Sequence, residues 1–241
     1  MKPIIGILNN LKVEKNEGPY QDIYRVNKIY VDKIELSGGI PIGIFEAKED
    51  LLDKCDGFLL TGGHRITKNH YKIIEYALKT NKPLLGICNG MQAIVMYDSL
   101  CQECLKNNLD PTISNLFKKY DELKTQNIYF LEKLDNMHGA LLSQRKMDFN
   151  LDTITSYKHF INIKKDSYLY NIYKEERIKV YSIHTYGVYK VSPNLEIMAT
   201  SDDNVIEAVK YKNKEIIGVQ FHIDLDEDSL LFQDLIKKCQ N

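Results

Sequence analysis

Five consecutive residues, Gly86-Ile-Cys-Asn-Gly90, constrain this chain more than any others. The apolar run Lys82-Pro-Leu-Leu-Gly-Ile87 leads into them, and a helical pattern from Asn89 to Met96 leads away. G-x-C-x-G between a strand and a helix is a nucleophile elbow, a tight turn that holds the central side chain clear of the sheet. The glycines belong to it because a Cβ at either position would collide with neighbouring backbone. The turn places Cys88 at a helix N-terminus, where the macrodipole and free N–H groups favour thiolate over thiol. It also points the Asn89 N–H to where an oxyanion would form after attack on a carbonyl. A free cysteine is most often a buried structural residue, but the strand and helix around this one mark Cys88 as a nucleophile.

The rest of the first half alternates apolar runs with amphipathic stretches, as βαβ units of a parallel sheet do. Strands are expected over 3–8, 40–45, 56–61 and 82–87, with helices over 21–36, 67–80 and 89–96. Ile23, Val26, Tyr30 and Ile34 supply the stripe of the first helix, and Gly38-Gly39 stops it. From about 98 to 150 the rhythm is lost, and short helices are expected. Strands return near 157–164, 178–183, 195–200, 205–211 and 215–221, and Asp226 to Ser229 caps a closing helix that ends near Lys238. The expected fold is α/β: a flavodoxin-like, mostly parallel central sheet flanked by helices, with a smaller antiparallel extension. Its 241 residues read as one domain carrying an atypical, partly helical insert over 98–155.

Charge narrows the partners. There are 32 basic and 33 acidic residues, and that balance argues against nucleic acid or an anionic membrane as an obligate partner. No apolar run approaches the ~18–20 residues of a membrane span, and Pro3 to Leu8, before Asn9 and Asn10, is too short for the apolar region expected of a signal sequence. The five cysteines read as reduced thiols in a cytoplasmic protein. Cys101 and Cys104 are spaced as C-x-x-C, but with no second pair they read as two cysteines on the apolar face of a helix.

A thiolate nucleophile needs a base, and the base needs an orienting group. Of six histidines, His222 ends the late strand Glu215-Ile-Ile-Gly-Val-Gln-Phe221, and Asp224 follows two residues on. In extended backbone both side chains project from one face, so the carboxylate can fix the imidazole tautomer and stabilise its charged form. Asp226 is a third acid there, read as leading into the terminal helix.

Together these segments resemble the class I glutamine amidotransferase-like superfamily, specifically its γ-glutamyl-γ-aminobutyrate hydrolase group, peptidase family C26. The resemblance rests on Lys82-Pro-Leu-Leu-Gly-Ile-Cys-Asn-Gly-Met-Gln92, Gly218-Val-Gln-Phe-His222 and Gly57-Phe-Leu-Leu-Thr-Gly-Gly63. Weaker matches are Tyr30-Val31 through Ser37-Gly-Gly-Ile-Pro41, Val180-Tyr-Ser-Ile-His184 and Asp203-Asn-Val-Ile-Glu-Ala208. It implies Cys88 as nucleophile, His222 as base and Asp224 as third triad member. It further implies an oxyanion hole from Asn89 with Gly62 or Gly63, and substrate contacts from Gln92, His184 and Tyr186. The chain departs from the pattern where His-Pro-Glu becomes His222-Ile-Asp224, leaving a carboxylate one methylene shorter and no stiffening proline. Asn89 stands where the group has Arg, His64-Arg65 follows the glycine pair in place of an acid, and the Gly-Gly-Thr segment after the nucleophile helix is missing.

The implied activity is hydrolysis of a small-molecule γ-glutamyl amide through a thioester, a scheme that needs no metal and no organic cofactor. Two alternatives stay open. One is a glutaminase subunit that delivers ammonia to a separate synthetase, since the chain has no P-loop pattern of its own. The other is a catalytically silent binding protein on the same fold. The insert is open to two readings, a lid that includes His138-Gly139 or a homodimer contact.

Overall fold

The computed structural model describes residues 1–12, 23–63, 65–126, 129–138, 158–227 and 230–240. Its first strand, β1 (Ile4–Leu8), pairs in parallel with β4 (Ile40–Ile44) on one side and β5 (Gly57–Leu60) on the other. β5 pairs in parallel with β6 (Leu84–Ile87), and β6 with β13 (Ile216–Val219). In chain order these five strands lie 2-1-3-4-5, the doubly wound flavodoxin-like order. Beyond β13 the sheet turns antiparallel through β12 (Ile206–Tyr211), β11 (Leu195–Ser201), β8 (Lys158–Ile163) and β9 (Arg177–Tyr181), giving nine strands.

Both faces are covered, and the strands read as unbroken apolar runs for that reason. Successive residues feed opposite cores: Phe58 and Leu60 pack with α3 (Lys68–Thr80), α4 (Asn89–Lys106) and α5 (Ile113–Thr125), whereas Leu59 packs with α1 (Lys28–Leu36) and α7 (Leu230–Lys238). Both cores contain large side chains with no exposed surface, Phe58 in one and Phe232 in the other.

Several expectations need correction. The stripe assigned to a helix from 21 spans two elements. Ile23–Arg25 forms β3, antiparallel to β2 (Asn10–Lys12), and the helix starts only at Lys28 after Asn27 in extended backbone. Ile23 is exposed there, and only Tyr30 and Ile34 of the four stripe residues are in the helix and buried. The loss of rhythm at 98 is no break either, because α4 runs unbroken to Lys106. Its first twelve residues are all buried, so no polar face marks the helical period. Thr112 then caps α5, its hydroxyl accepting the Asn115 N–H at 3.3 Å. The strand expected over 178–183 is β9 ending at Tyr181, and a separate β10 (His184–Gly187) pairs antiparallel with β7 (Glu132–His138). A short helix, α6 (Tyr168–Tyr173), precedes β9. The proposed lid at His138-Gly139, the remaining insert to 155 and the cap at Ser229 lie outside the described residues, apart from backbone as far as His138.

Candidate active site

The carboxyl ends of the parallel strands collect the candidate residues. Gly62 and Gly63 follow β5, Cys88 follows β6, and His222 lies just past β13. In this fold that edge is where ligands bind. β6 and β13 are neighbours with Ile87 opposite Val219, and the Cys88 N–H donates to the Val219 carbonyl at 2.7 Å. Strand register therefore brings Cys88 and His222, 134 positions apart in sequence, to the same edge of the sheet.

Cys88 has φ 52° and ψ −105°, a backbone conformation an L-residue adopts only under constraint. The constraint is visible next door. A Cβ on Gly90 would lie 2.2 Å from the Leu60 carbonyl oxygen, and one on Gly86 would lie 2.7 Å from the Gly90 carbonyl carbon. Only glycines let α4 start so close to β5 and β6. Cys88 is mostly buried, at 7% exposure, and α4 begins at the next residue, so the Asn89 N–H is among the first-turn donors that no helical carbonyl satisfies.

The structure brings His222 to Cys88 and Asp224 together. The imidazole Nδ1 lies 3.1 Å from Asp224 Oδ1, and the Cys88 side chain is close enough to the ring to influence its charge. The shorter carboxylate reaches by a different route from the one expected. Ile223–Leu225 is a turn of 3-10 helix rather than extended chain, which curls Asp224 back toward the ring. Burial opposes a charge on His222, but the Asp224 carboxylate, its hydrogen bond and the Cys88 sulfur outweigh that and hold the pKa well above the ordinary 6.5. Asp226 sits elsewhere: its backbone carbonyl accepts from Lys33 Nζ.

Of the two glycines after β5, Gly62 has its N–H engaged, donating to the Tyr30 hydroxyl at 3.3 Å. A Cβ on Gly62 would meet His222 Cε1 at 3.1 Å and Cys88 Cβ at 3.8 Å, which puts this loop against both side chains. Asn10 braces it, donating from Nδ2 to Thr61 Oγ1 and to the Gly62 carbonyl, each at 3.1 Å. Gln92 lies one turn into α4, with Nε2 bound to Gln220 Oε1 at 3.1 Å and to the Tyr186 carbonyl at 3.3 Å, so Oε1 is the end it can offer a ligand. His184 is 4% exposed, with Nδ1 on the Tyr186 carbonyl and Nε2 toward Glu207, while the Tyr186 side chain is 49% exposed. His64 lies outside the described residues.

Sequence reasoning gave Tyr30 no role at the site, reading it as part of an apolar stripe and of a weaker family-matching segment. Its hydroxyl accepts from the Gly62 N–H and lies near enough to Asp224 to feel the carboxylate's charge. Burial first, then the Asp224 charge, raises its pKa well above 10.0, so it stays a neutral donor. A signal existed, since a buried tyrosine hydroxyl always needs a partner.

Fold and site together define a class I glutamine amidotransferase-like hydrolase: a doubly wound sheet with a cysteine at its elbow and a histidine–carboxylate pair across the crevice. Residues 3–73 and 67–224 match the peptidase C26 family. The chain belongs to that family, whose members are hydrolases acting on C–N amide bonds. It is 26% identical to a glutamine amidotransferase-like protein of Rickettsia prowazekii over 273 aligned positions, covering 98% of this chain and 97% of that one. It is 24% identical to the γ-glutamyl-γ-aminobutyrate hydrolase PuuD of Escherichia coli, covering 99% of this chain and 94% of the relative. Among solved structures it is similar to the glutaminase domain of Trypanosoma brucei CTPS with bound acivicin. The TM-score is 0.67 at 16% identity, over 99% of this chain and 94% of that one. No described helix is long and apolar enough to cross a membrane.

Proposed function

We propose that this chain hydrolyses γ-glutamyl amides, releasing glutamate and an amine through a γ-glutamyl thioester on Cys88. The observation that carries the reading is the His222 ring, hydrogen-bonded to Asp224 and close enough to Cys88 for the two to interact. The sulfur attacks the γ-carbonyl, and the Asn89 and Gly63 N–H groups receive the developing oxyanion. His222 gives its proton to the departing amine as the C–N bond breaks, then takes one from the water that cleaves the thioester. Tyr30 and Asp224 keep the ring aligned, and Gln92 Oε1 offers an acceptor to the glutamyl group. The hydrolase PuuD supports the γ-glutamyl assignment by similarity. All five cysteines are free thiols, which suits work in the reducing cytoplasm.

A second reading, a glutaminase subunit serving a separate synthetase, draws on the similarity to the CTPS glutaminase domain. The purified chain, assayed against glutamine and a panel of γ-glutamyl amides of varied amine, separates the two. Turnover of γ-glutamyl amides by the chain alone supports the proposal. Glutamine hydrolysis that needs an added partner, with no turnover of the other amides, overturns it.

A further inference from the structure

The antiparallel half of the large sheet and the separate β7–β10 ribbon bring together a second convergence of ligand-type side chains that the proposed chemistry leaves unused. His159 comes from β8, His184 from β10 and Glu207 from β12, and one donor atom of each lies within 4.8 Å of the other two. His184 Nε2 is 3.5 Å from Glu207 Oε1, and His159 Nε2 is 3.7 Å from the same oxygen. Ligands held at zinc's usual bond lengths in a tetrahedron stand about 3.4 Å apart. Both distances are already within a few tenths of an ångström of it.

The orientation of His184 argues for an ion rather than a shared proton. Its Nδ1 lies 3.1 Å from the Tyr186 carbonyl, which can only accept, so Nδ1 carries the proton. In the neutral ring the Nε2 lone pair then faces the carboxylate, an arrangement that a cation between them stabilises. A backbone carbonyl on the far nitrogen is also how metal-bound histidines are commonly held. A proton shared by His184 and Glu207 would have no use for His159, whereas an ion takes all three. The Glu207 side chain has no exposed surface and that of His184 has 1%, while His159 at 21% leaves a way in. Ser182 Oγ, now 2.7 Å from His159 Nε2, would release that nitrogen and sit beside the fourth position.

We propose that His159, His184 and Glu207 form a site for one divalent transition-metal ion of the zinc class, two imidazoles and one carboxylate being a donor set such ions favour. The ion would tie β8, β10 and β12 together. Through the Tyr186 carbonyl it would also fix Gln92, one helical turn from Cys88. On this assignment His184 serves the metal and not the substrate.

The test uses full-length protein freed of metal by chelation, carrying Cys88→Ala so that the thiol and His222 cannot bind zinc themselves. Zinc is titrated calorimetrically into this parent and into the same protein with His159→Ala. One ion bound by the parent, and at least about tenfold weaker binding after His159→Ala with the circular dichroism unchanged, supports the site. Equal affinity in the two proteins, or no binding by the parent, overturns it. X-ray absorption of the zinc-loaded parent decides independently of how the variant folds. Two imidazole ligands and no sulfur support the site, and sulfur ligation, which would point to the remaining cysteines, overturns it.

Discussion

The Tyr30 hydroxyl accepts the Gly62 N–H at 3.3 Å and lies near enough to the Asp224 carboxylate to feel its charge, linking the acid behind His222 to the loop beside Cys88. Removing that one oxygen with Tyr30→Phe leaves the ring in its core position but frees the Gly62 N–H. We expect kcat on a γ-glutamyl amide to fall about tenfold with KM within about twofold, as for a group that aligns the catalytic pair without binding substrate. Stability should drop by about 0.5–1.5 kcal/mol, the usual net worth of a neutral hydrogen bond. Steady-state kinetics and urea denaturation read the two effects.

Asp224→Asn removes the charge that offsets burial at His222. Desolvation then dominates, and the imidazole pKa should move from well above 6.5 to below it. The sign for stability follows. In the parent, charging His222 contributes stability fully below pH 6.5, and that contribution is lost as the pH rises through the raised folded value. The variant should lose that pH dependence. NMR titration of the His222 ring measures the shift, and kcat should fall by about 10⁴, the loss seen when a triad aspartate becomes asparagine.

Gly90→Ala tests the elbow. The new methyl would meet the Leu60 carbonyl oxygen at 2.2 Å and Leu60 Cβ at 2.8 Å, atoms of a central strand that cannot move aside. A loss of at least about 3 kcal/mol is expected, at the upper end of overpacking costs. Thermal unfolding should show it, together with loss of activity.

How much of this was legible beforehand depended on what each residue touches. The parallel strands stood out because burial on both faces makes them continuous apolar runs, and the elbow because its glycines and cysteine have no cheaper reason to lie together. The pair β7 and β10 was hidden: His184-Thr-Tyr-Gly187 is short and polar, and its partner lies in a segment without clear period. Tyr30 and Glu207 were missed for another reason. Each looks ordinary within its own element, and its role comes from strands brought alongside by tertiary register. The reach of Asp224 depended on a 3-10 turn that no period-two argument could supply.

His70 offers a pH test remote from the site. It sits at the third position of α3, where the Thr67 N–H donates to its Nδ1 at 3.1 Å, and burial lowers its pKa to about 4. Between the ordinary 6.5 and about 4 the unfolded chain binds the extra proton, so this contribution to stability is lost as pH falls through that window. The loss should reach about 2 kcal/mol at pH 5 relative to pH 7. His70→Gln keeps an acceptor for Thr67 but cannot titrate, so denaturation at the two pH values should show a smaller difference in the variant.

Mass spectrometry of the intact enzyme, quenched in acid within the first turnover of a chromogenic γ-glutamyl anilide, bears most directly on the central claim. A burst of released amine stoichiometric with enzyme is predicted, with one γ-glutamyl group added to the protein and mapped to the peptide containing Cys88. Cys88→Ala should show neither. Hydrolysis at the parent rate by Cys88→Ala, or a γ-glutamyl group found on a different residue, would contradict the account.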